Sequence, residues 1–202
     1  MPFVFKRLAL LLSIAAAFAA DKEPPFKPGP AASFAAHQTN GKVTMGVDPY
    51  VMDEKVKIAF GKVNPYNYSV LPVLVVIQND GDTAIRLDHI RAEYCGPKRD
   101  RVLATPAKDV RYANPPKRPR SISGPPGTVD KILKKKNPLD AWEIEGRAFS
   151  AQMLAPGQSA SGFFYFETLL EPGATIYLTG MTEAQTGKEL LFFELPISSD
   201  SH

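Results

Sequence analysis

Three histidines, His37, His89 and His202, and a lone cysteine, Cys95, are where acid–base, metal or nucleophilic chemistry would be sought in this chain. Only His89 lies in strand-like text, and with Asp88 beside it and Glu93 nearby it could be written as a metal corner. Adjacent strand residues point to opposite faces, so Asp88 and His89 would converge only if a bulge re-aimed one of them. No HExxH motif or spaced His/Cys cluster supports a metal. Lys98 and Arg99 close to Cys95 would favour a thiolate. His89, six residues upstream, gives no recognised nucleophile–base pattern, and a half-buried small residue at a strand end is the plainer reading of Cys95. The motifs G-x-S-x-G, S-x-x-K and G-x-x-x-x-G-K-[ST] do not occur. The carboxylate pairs Asp53-Glu54 and Glu143/Glu145 have no register tying them to a common cleft. These residues predict a non-enzymatic chain that needs no cofactor. The competing class is an envelope enzyme or metal-dependent protein using His89, Asp88 and Cys95.

The strongest signal outside the fold is charge. Residues 98–136 hold twelve Lys or Arg against Asp100, Asp109 and Asp130, a net of +9. Without Lys6 and Arg7 the formal charge of +3 becomes +1, which leaves −8 for the remainder. Within the basic region Lys117, Arg118 and Arg120 occupy a proline-stiffened loop, while Lys134, Lys135 and Lys136 close a helix-like run. All six are candidates to meet phosphate or carboxylate. An anionic envelope component or an acidic protein is the expected partner; nucleic acid suits the charge but not the compartment, and stacking aromatics are sparse there. Two other readings stand beside this one: lysine and proline protecting a strand edge, or the basic region folding over the acidic remainder.

The elements that must position these residues read mostly as strands. Val56, Ile58 and Phe60 alternate with Lys55, Lys57 and Ala59, a period of two that predicts a strand. VLVVI, residues 73–77, is apolar on both faces and predicts a central strand entered after Pro72. Asn79-Asp80-Gly81-Asp82 predicts a tight hairpin turn. In TAIRLDHIRAEY the apolar set shifts phase between Leu87 and Ile90, which predicts a bulge near Asp88 and His89. Pro156-Gly157 and Pro172-Gly173 introduce SGFFYFE and ATIYLTGM, and Thr186-Gly187 turns the chain into ELLFFELPI. Alternation in FFYF sets Phe164 and Phe166 on one side, Phe163 and Tyr165 on the other. The side away from the core needs cover, from a helix bearing Trp142 or from a partner. Thr128 can cap a helix over VDKILKKK, and Asn137-Pro138 can open a second in which Leu139, Trp142, Gly146 and Phe149 share a face.

The ends of the chain set the compartment. Lys6 and Arg7, the apolar run LALLLSIAAAF and Ala17-Phe18-Ala19 predict a signal peptide over residues 1–20, cleaved near Ala19 or Ala20. That apolar run is too short to cross a bilayer permanently, so a secreted or periplasmic chain is expected. Residues 21–41 read as a disordered leader, 42–197 as a single β-sandwich domain with residues 95–152 as a basic loop and helical insertion, and 198–202 as a disordered tail. With one cysteine no intrachain disulfide can form, so stability must come from packing. Asn67-Tyr68-Ser69 matches a glycosylation sequon, which matters only in a eukaryotic host.

PVLVVIQNDGDTAIRLD, LAPGQSASGFFYF and ATIYLTGMTEAQTGKELLFFELPI together resemble the immunoglobulin-like domains of poorly characterised bacterial exported proteins. The likeness covers roughly residues 43–94 and 153–197. It implies an all-β, immunoglobulin-like two-layer antiparallel β-sandwich acting as an extracytoplasmic accessory or binding module, without the paired cysteines of antibody-type domains. The basic insertion between the two matching halves has no counterpart in that resemblance.

Overall fold

The computed structural model describes residues 26–113, 137–190 and 192–199. Its strands are β1 (Ala36–Asn40), β2 (Val43–Pro49), β3 (Leu71–Asn79), β4 (Ile85–Arg86), β5 (Arg91–Cys95), β6 (Arg101–Leu103), β7 (Met153–Leu154), β8 (Ser159–Phe166), β9 (Thr175–Thr179), β10 (Thr182–Glu183) and β11 (Phe193–Pro196). Two helices, α1 (Asp53–Phe60) and α2 (Trp142–Gly146), and three short 3-10 turns complete the described elements. The protein is therefore mostly β. The strands form three antiparallel sheets: β1-β2-β3-β8, β11-β9-β5-β6 and a small β10-β4-β7.

The two four-stranded sheets share one core. Met45 and Val47 on β2, with Val73, Val75 and Ile77 on β3, pack into the same buried cluster as Tyr94, Ile176, Leu178 and Phe193 of the other sheet. β3 is the middle of this arrangement because its alternate residues serve two cores. Leu74 and Val76 point outward into a second cluster with Phe163, Tyr165, Val56, Phe60, Val110 and Ile144. Each such side chain, fully buried, contributes about 1.5–3 kcal/mol of apolar transfer, which is why this strand carries no polar residue before Gln78. The side of β8 bearing Phe163 and Tyr165 is thus covered from within the chain.

Cover on that outer face comes from a helical layer. α1 exists because Val56, Ala59 and Phe60 fall at helical spacing and all three are buried. Asp53 and Glu54 sit in its first turn and Lys57 in its last, matching the helix dipole. Gly61, with φ of 63°, ends it, and its N–H donates to the Lys57 carbonyl at 2.9 Å. The strand expected here from the alternation of Val56, Ile58 and Phe60 is accordingly a helix, with Ile58 in solvent.

The leader differs from expectation as well. Residues 26–41 were expected to lack structure, yet Ala31 is fully buried, Ala31–Ser33 form a 3-10 turn and β1 pairs along β2. Gly46 makes this possible: a Cβ there would lie 2.4 Å from the Ala31 carbonyl oxygen and 2.7 Å from the Phe34 ring. β1 is also tied to β11, since Asn40 donates to the Phe192 carbonyl at 2.8 Å and the Glu194 N–H donates to Gln38 at 2.9 Å.

Two turn expectations are corrected by the existence of the third sheet. The Asn79–Asp82 turn does not close a hairpin; it sends the chain from β3 to β4 in a different sheet. The phase shift between Leu87 and Ile90 is a turn rather than a bulge, with the Ile90 N–H donating to the Leu87 carbonyl at 3.1 Å, and it separates β4 from β5. A polypeptide that changes sheets must re-aim its apolar residues, and a shift of phase is the result. The turns at Gly157, Gly173 and Gly187 form as the sequence suggests, and β9 pairs with β11.

Candidate functional site

The basic insertion leaves and re-enters the fold through a clamped neck on the helix-covered face. After β6 the chain crosses from one sheet edge to the other: the Ala104 N–H donates to the Ala92 carbonyl at 3.0 Å, and the Thr105 N–H to the Tyr165 carbonyl at 2.7 Å. A 3-10 turn at Val110–Tyr112 follows, anchored by buried Val110 and Ala113. On the returning side Leu139 is buried in the same cluster. Asn137 joins the two sides directly, since its Nδ2 donates to the Arg111 carbonyl at 2.6 Å while its Oδ1 accepts from the Leu139 N–H at 3.0 Å.

Arg111 completes the clamp. Its Nη1 lies 2.9 Å from Asp140 Oδ1, its Nη2 meets Glu145 Oε1, and its Nε donates to the Lys108 carbonyl at 3.0 Å. Exposed ion pairs contribute only about 0–1 kcal/mol each. A single planar guanidinium engaging two carboxylates and a backbone carbonyl nevertheless fixes direction, because its donors form a rigid fork. α2 is held beneath by Ile144, which is buried, and by Tyr165, whose hydroxyl donates to the Ile144 carbonyl at 2.7 Å. Gly162 lets residues 148–149 approach β8: a Cβ there would be 2.4 Å from the Phe149 Cα.

Two aromatic side chains stand at the feet of this neck. Tyr112 is 70% exposed and Trp142 is 72% exposed. The expected docking face of Leu139, Trp142, Gly146 and Phe149 is therefore only partly formed, with Leu139 and Ile144 pointing inward and Trp142 outward. A cleft of about 460 Å³ lies beside the neck, lined in part by Val63, Asn137, Asp140 and Trp142. The six cations expected to bind an anion, Lys117, Arg118, Arg120, Lys134, Lys135 and Lys136, lie outside the described residues, as does the helix expected over VDKILKKK. Of the region's described cations, Arg101 pairs with Glu93 at 3.0 Å and Arg111 with the two acids named above.

The alternative constellation is not assembled. His89 lies in the turn before β5 and Cys95 ends that strand, so the length of β5, about 13 Å at the usual rise, stands between them. The His89 side chain is 77% exposed, and its Nε2 lies 3.6 Å from Asp88 Oδ2. Asp88 is already engaged by Arg86, 2.5 Å away, and that hydrogen bond holds its carboxyl below the usual carboxylate range. Cys95 is half-buried, and burial pushes its thiol pKa up, with Arg101 opposing. This is the reverse of the thiolate expected from Lys98 and Arg99. Among the described residues no group of three or more His, Cys, Asp or Glu is placed to hold a metal ion. No described helix is long and apolar enough to cross a membrane.

The clamp was not legible in the sequence. Arg111 counts there only as one of twelve cations, and Asn137 only as part of the Asn137-Pro138 pair that can open a helix. Their pairing across residues 114–136 had no local signal, although Asp140 and Glu145 supply carboxylates on the returning side.

No protein-family model matches the chain, and no curated protein matches it in sequence. Among solved structures it is similar to a protein from Bacillus subtilis assigned as a lipoprotein, at 11% identity over 79% of this chain and 38% of that one, with a TM-score of 0.37. The chain thus spans well under half the length of that protein. It is also similar to a Bordetella pertussis protein assigned as ApaA, at 16% identity over 80% of this chain and 89% of that one, TM-score 0.32. A third likeness is to MPT63, a secreted protein of Mycobacterium tuberculosis, at 11% identity over 82% and 95% of the two chains, TM-score 0.30.

Proposed function

We propose that this chain is an exported, non-enzymatic binding module of immunoglobulin-like build, whose basic insertion engages an anionic component of the cell envelope or an acidic protein. The observation that carries the reading is the clamp. Asn137 and Arg111 hold the two sides of the insertion together over a buried apolar footing, so a segment rich in Lys and Arg is offered from a fixed point on the surface. Joining the ends in advance removes part of the ordering cost that a tethered binding segment would otherwise meet on engagement. Export is supported by the basic, apolar and small-residue pattern of residues 1–20.

The test compares the processed chain with a variant in which Lys117, Arg118, Arg120, Lys134, Lys135 and Lys136 are changed to Gln. Each Lys or Arg close to an anionic surface contributes about 1 kcal/mol, so the expected result is salt-sensitive retention on anionic envelope extracts that the variant loses almost completely. Ala at both His89 and Cys95 should leave retention unchanged. Equal retention of the parent and the six-fold variant, at low and high salt, would refute the reading.

A further inference from the structure

We propose that a slit between the open edges of the two large sheets binds the single alkyl chain of a fatty-acid carboxylate, with Arg91 at its mouth meeting the headgroup. The site uses none of the cations of residues 114–136. The sandwich is tied along one side, where Asn40 donates to the Phe192 carbonyl and Gln38 accepts from the Glu194 N–H. On the other side β8 ends one sheet and β6 ends the second. There the Thr105 N–H, donating to the Tyr165 carbonyl at 2.7 Å, links the two edges. β6 spans only Arg101–Leu103 and pairs with Glu93–Cys95, so the start of β5 has no strand beside it on this edge.

The gap is a slit of about 330 Å³. That is near the lower end of the range for small-molecule sites, which favours one alkyl chain over two. Ile90, Ala92, Leu103, Pro106, Phe149 and Phe164 make its walls apolar. Phe149 and Phe164 stack with centroids 5.3 Å apart and planes 18° apart, and with Ile90 they pack against the main core while staying half-buried. An alkyl chain entering here would extend that core and cover surface that is now partly wet. Leu103 stands at the mouth, 56% exposed.

The charge of the lining selects the headgroup. Arg91 is its only charged residue, and among the described residues Arg91 makes no ion pair. Arg91 and Glu93 alternate with buried Ala92 and Tyr94, and Glu93 lies opposite Leu103, so Arg91 and Leu103 share the outer face of the sheet. Of the acids bordering the lining, Glu93 is held by Arg101 at 3.0 Å and Glu167 accepts from the Thr105 hydroxyl at 3.1 Å. A guanidinium without an acid partner, at the mouth of an apolar slit, matches a carboxylate on an alkyl chain. An ammonium head on the same chain would meet a like charge.

Equilibrium dialysis of the processed chain against dodecanoate at neutral pH, below the concentration at which it forms micelles, tests the site. Saturable binding of a single equivalent is expected. Affinity should fall about fourfold for each methylene removed on going to decanoate, and dodecylamine and lauroyl lysophosphatidylglycerol should both bind more weakly than dodecanoate. Arg91→Gln should weaken dodecanoate binding about three- to tenfold. Leu103→Glu sets an acid beside Arg91 at an exposed position and should weaken it at least as much, with thermal melts checking that both variants stay folded. Neutralising the six cations of residues 117–136 should leave dodecanoate binding unchanged. Absence of saturable binding, dodecylamine bound as tightly as dodecanoate, or parent-like affinity in both single variants would overturn the assignment. Tighter binding of the lysophospholipid would overturn the free carboxylate as the headgroup, and loss of binding in the six-fold variant would move the site to the insertion. Failure here leaves salt-sensitive retention on envelope extracts as it was, so the two readings fail separately.

Discussion

Replacing Phe26 by Ala tests whether the leader is part of the folded protein. Its ring lies 5.6 Å from that of Phe163 and 6.1 Å from that of Tyr50 in an edge-on arrangement, and the Arg147 guanidinium stacks 4.9 Å above it. A fully buried Phe→Ala change costs about 3–5 kcal/mol. Phe26 is only half-buried, so about half of that, on the order of 2 kcal/mol, is expected. For a domain of this size each kcal/mol moves Tm by about 2–4 °C, which gives a fall of about 4–8 °C. Thermal melts followed by far-UV circular dichroism would read it, with urea titration checking that the m-value is unchanged. Lys27→Ala, at an exposed neighbour, controls for chain-end effects. A Phe26→Ala melt within about 1 °C of the parent would refute the reasoning and return the leader to an unstructured tail.

Tyr165→Phe removes the hydroxyl that donates to the Ile144 carbonyl and leaves that carbonyl buried without its partner, so a loss of about 1–3 kcal/mol in urea unfolding is expected; a change below about 0.3 kcal/mol would place the α2 anchor elsewhere. Because burial raises the Cys95 pKa, its thiol should react with iodoacetamide at neutral pH more slowly than in the urea-unfolded chain. Faster labelling of the folded protein would contradict that. Arg111→Gln uncovers Asp140 and Glu145 beside the insertion and should weaken retention on anionic surfaces more than Lys108→Gln does. Adding Asp140→Asn and Glu145→Gln should recover it, and failure to recover would mean that the clamp acts through geometry rather than charge.

What was legible in the sequence was whatever depended on one sheet face at a time. VLVVI reads as a strand buried on both sides because no neighbour breaks its apolar run, and β3 is such a strand. The two-sided pattern of FFYF is legible for the same reason, with Phe166 in one cluster and Phe163 and Tyr165 in the other. α1 was not, because VKIAF satisfies a period of two and the i, i+3, i+4 spacing equally well. The arbitrating signals were the acids at Asp53 and Glu54 and the stop at Gly61, which belong to helix ends rather than strands. β1 was missed since AHQTN presents no apolar alternation; it is an edge strand secured by pairing with β2 and by side-chain bonds to β11. Tertiary partners far along the chain decide such a segment, and local pattern does not contain them.

The site was legible as composition and hidden as geometry. A net charge counted over residues 98–136 is indifferent to whether the cations face inward or outward, and folding over the acidic remainder remained open on that count alone. The clamp bears on this choice. Of the carboxylates on the returning side, Asp140, Glu143 and Glu145, two, Asp140 and Glu145, are taken by Arg111, whose rigid fork and half-buried position make it a stronger competitor than a solvated lysine. Arg101 likewise occupies Glu93. Any lysine of the insertion that paired with these acids would have to displace an arginine for a contact worth about 0–1 kcal/mol at an exposed site. Pairing of the basic segment with Asp140, Glu145 or Glu93 is therefore disfavoured, which is what the proposed engagement of an external anion requires of these three carboxylates. The same two arginines that make the sequence look more basic are those that neutralise three of the carboxylates beside it.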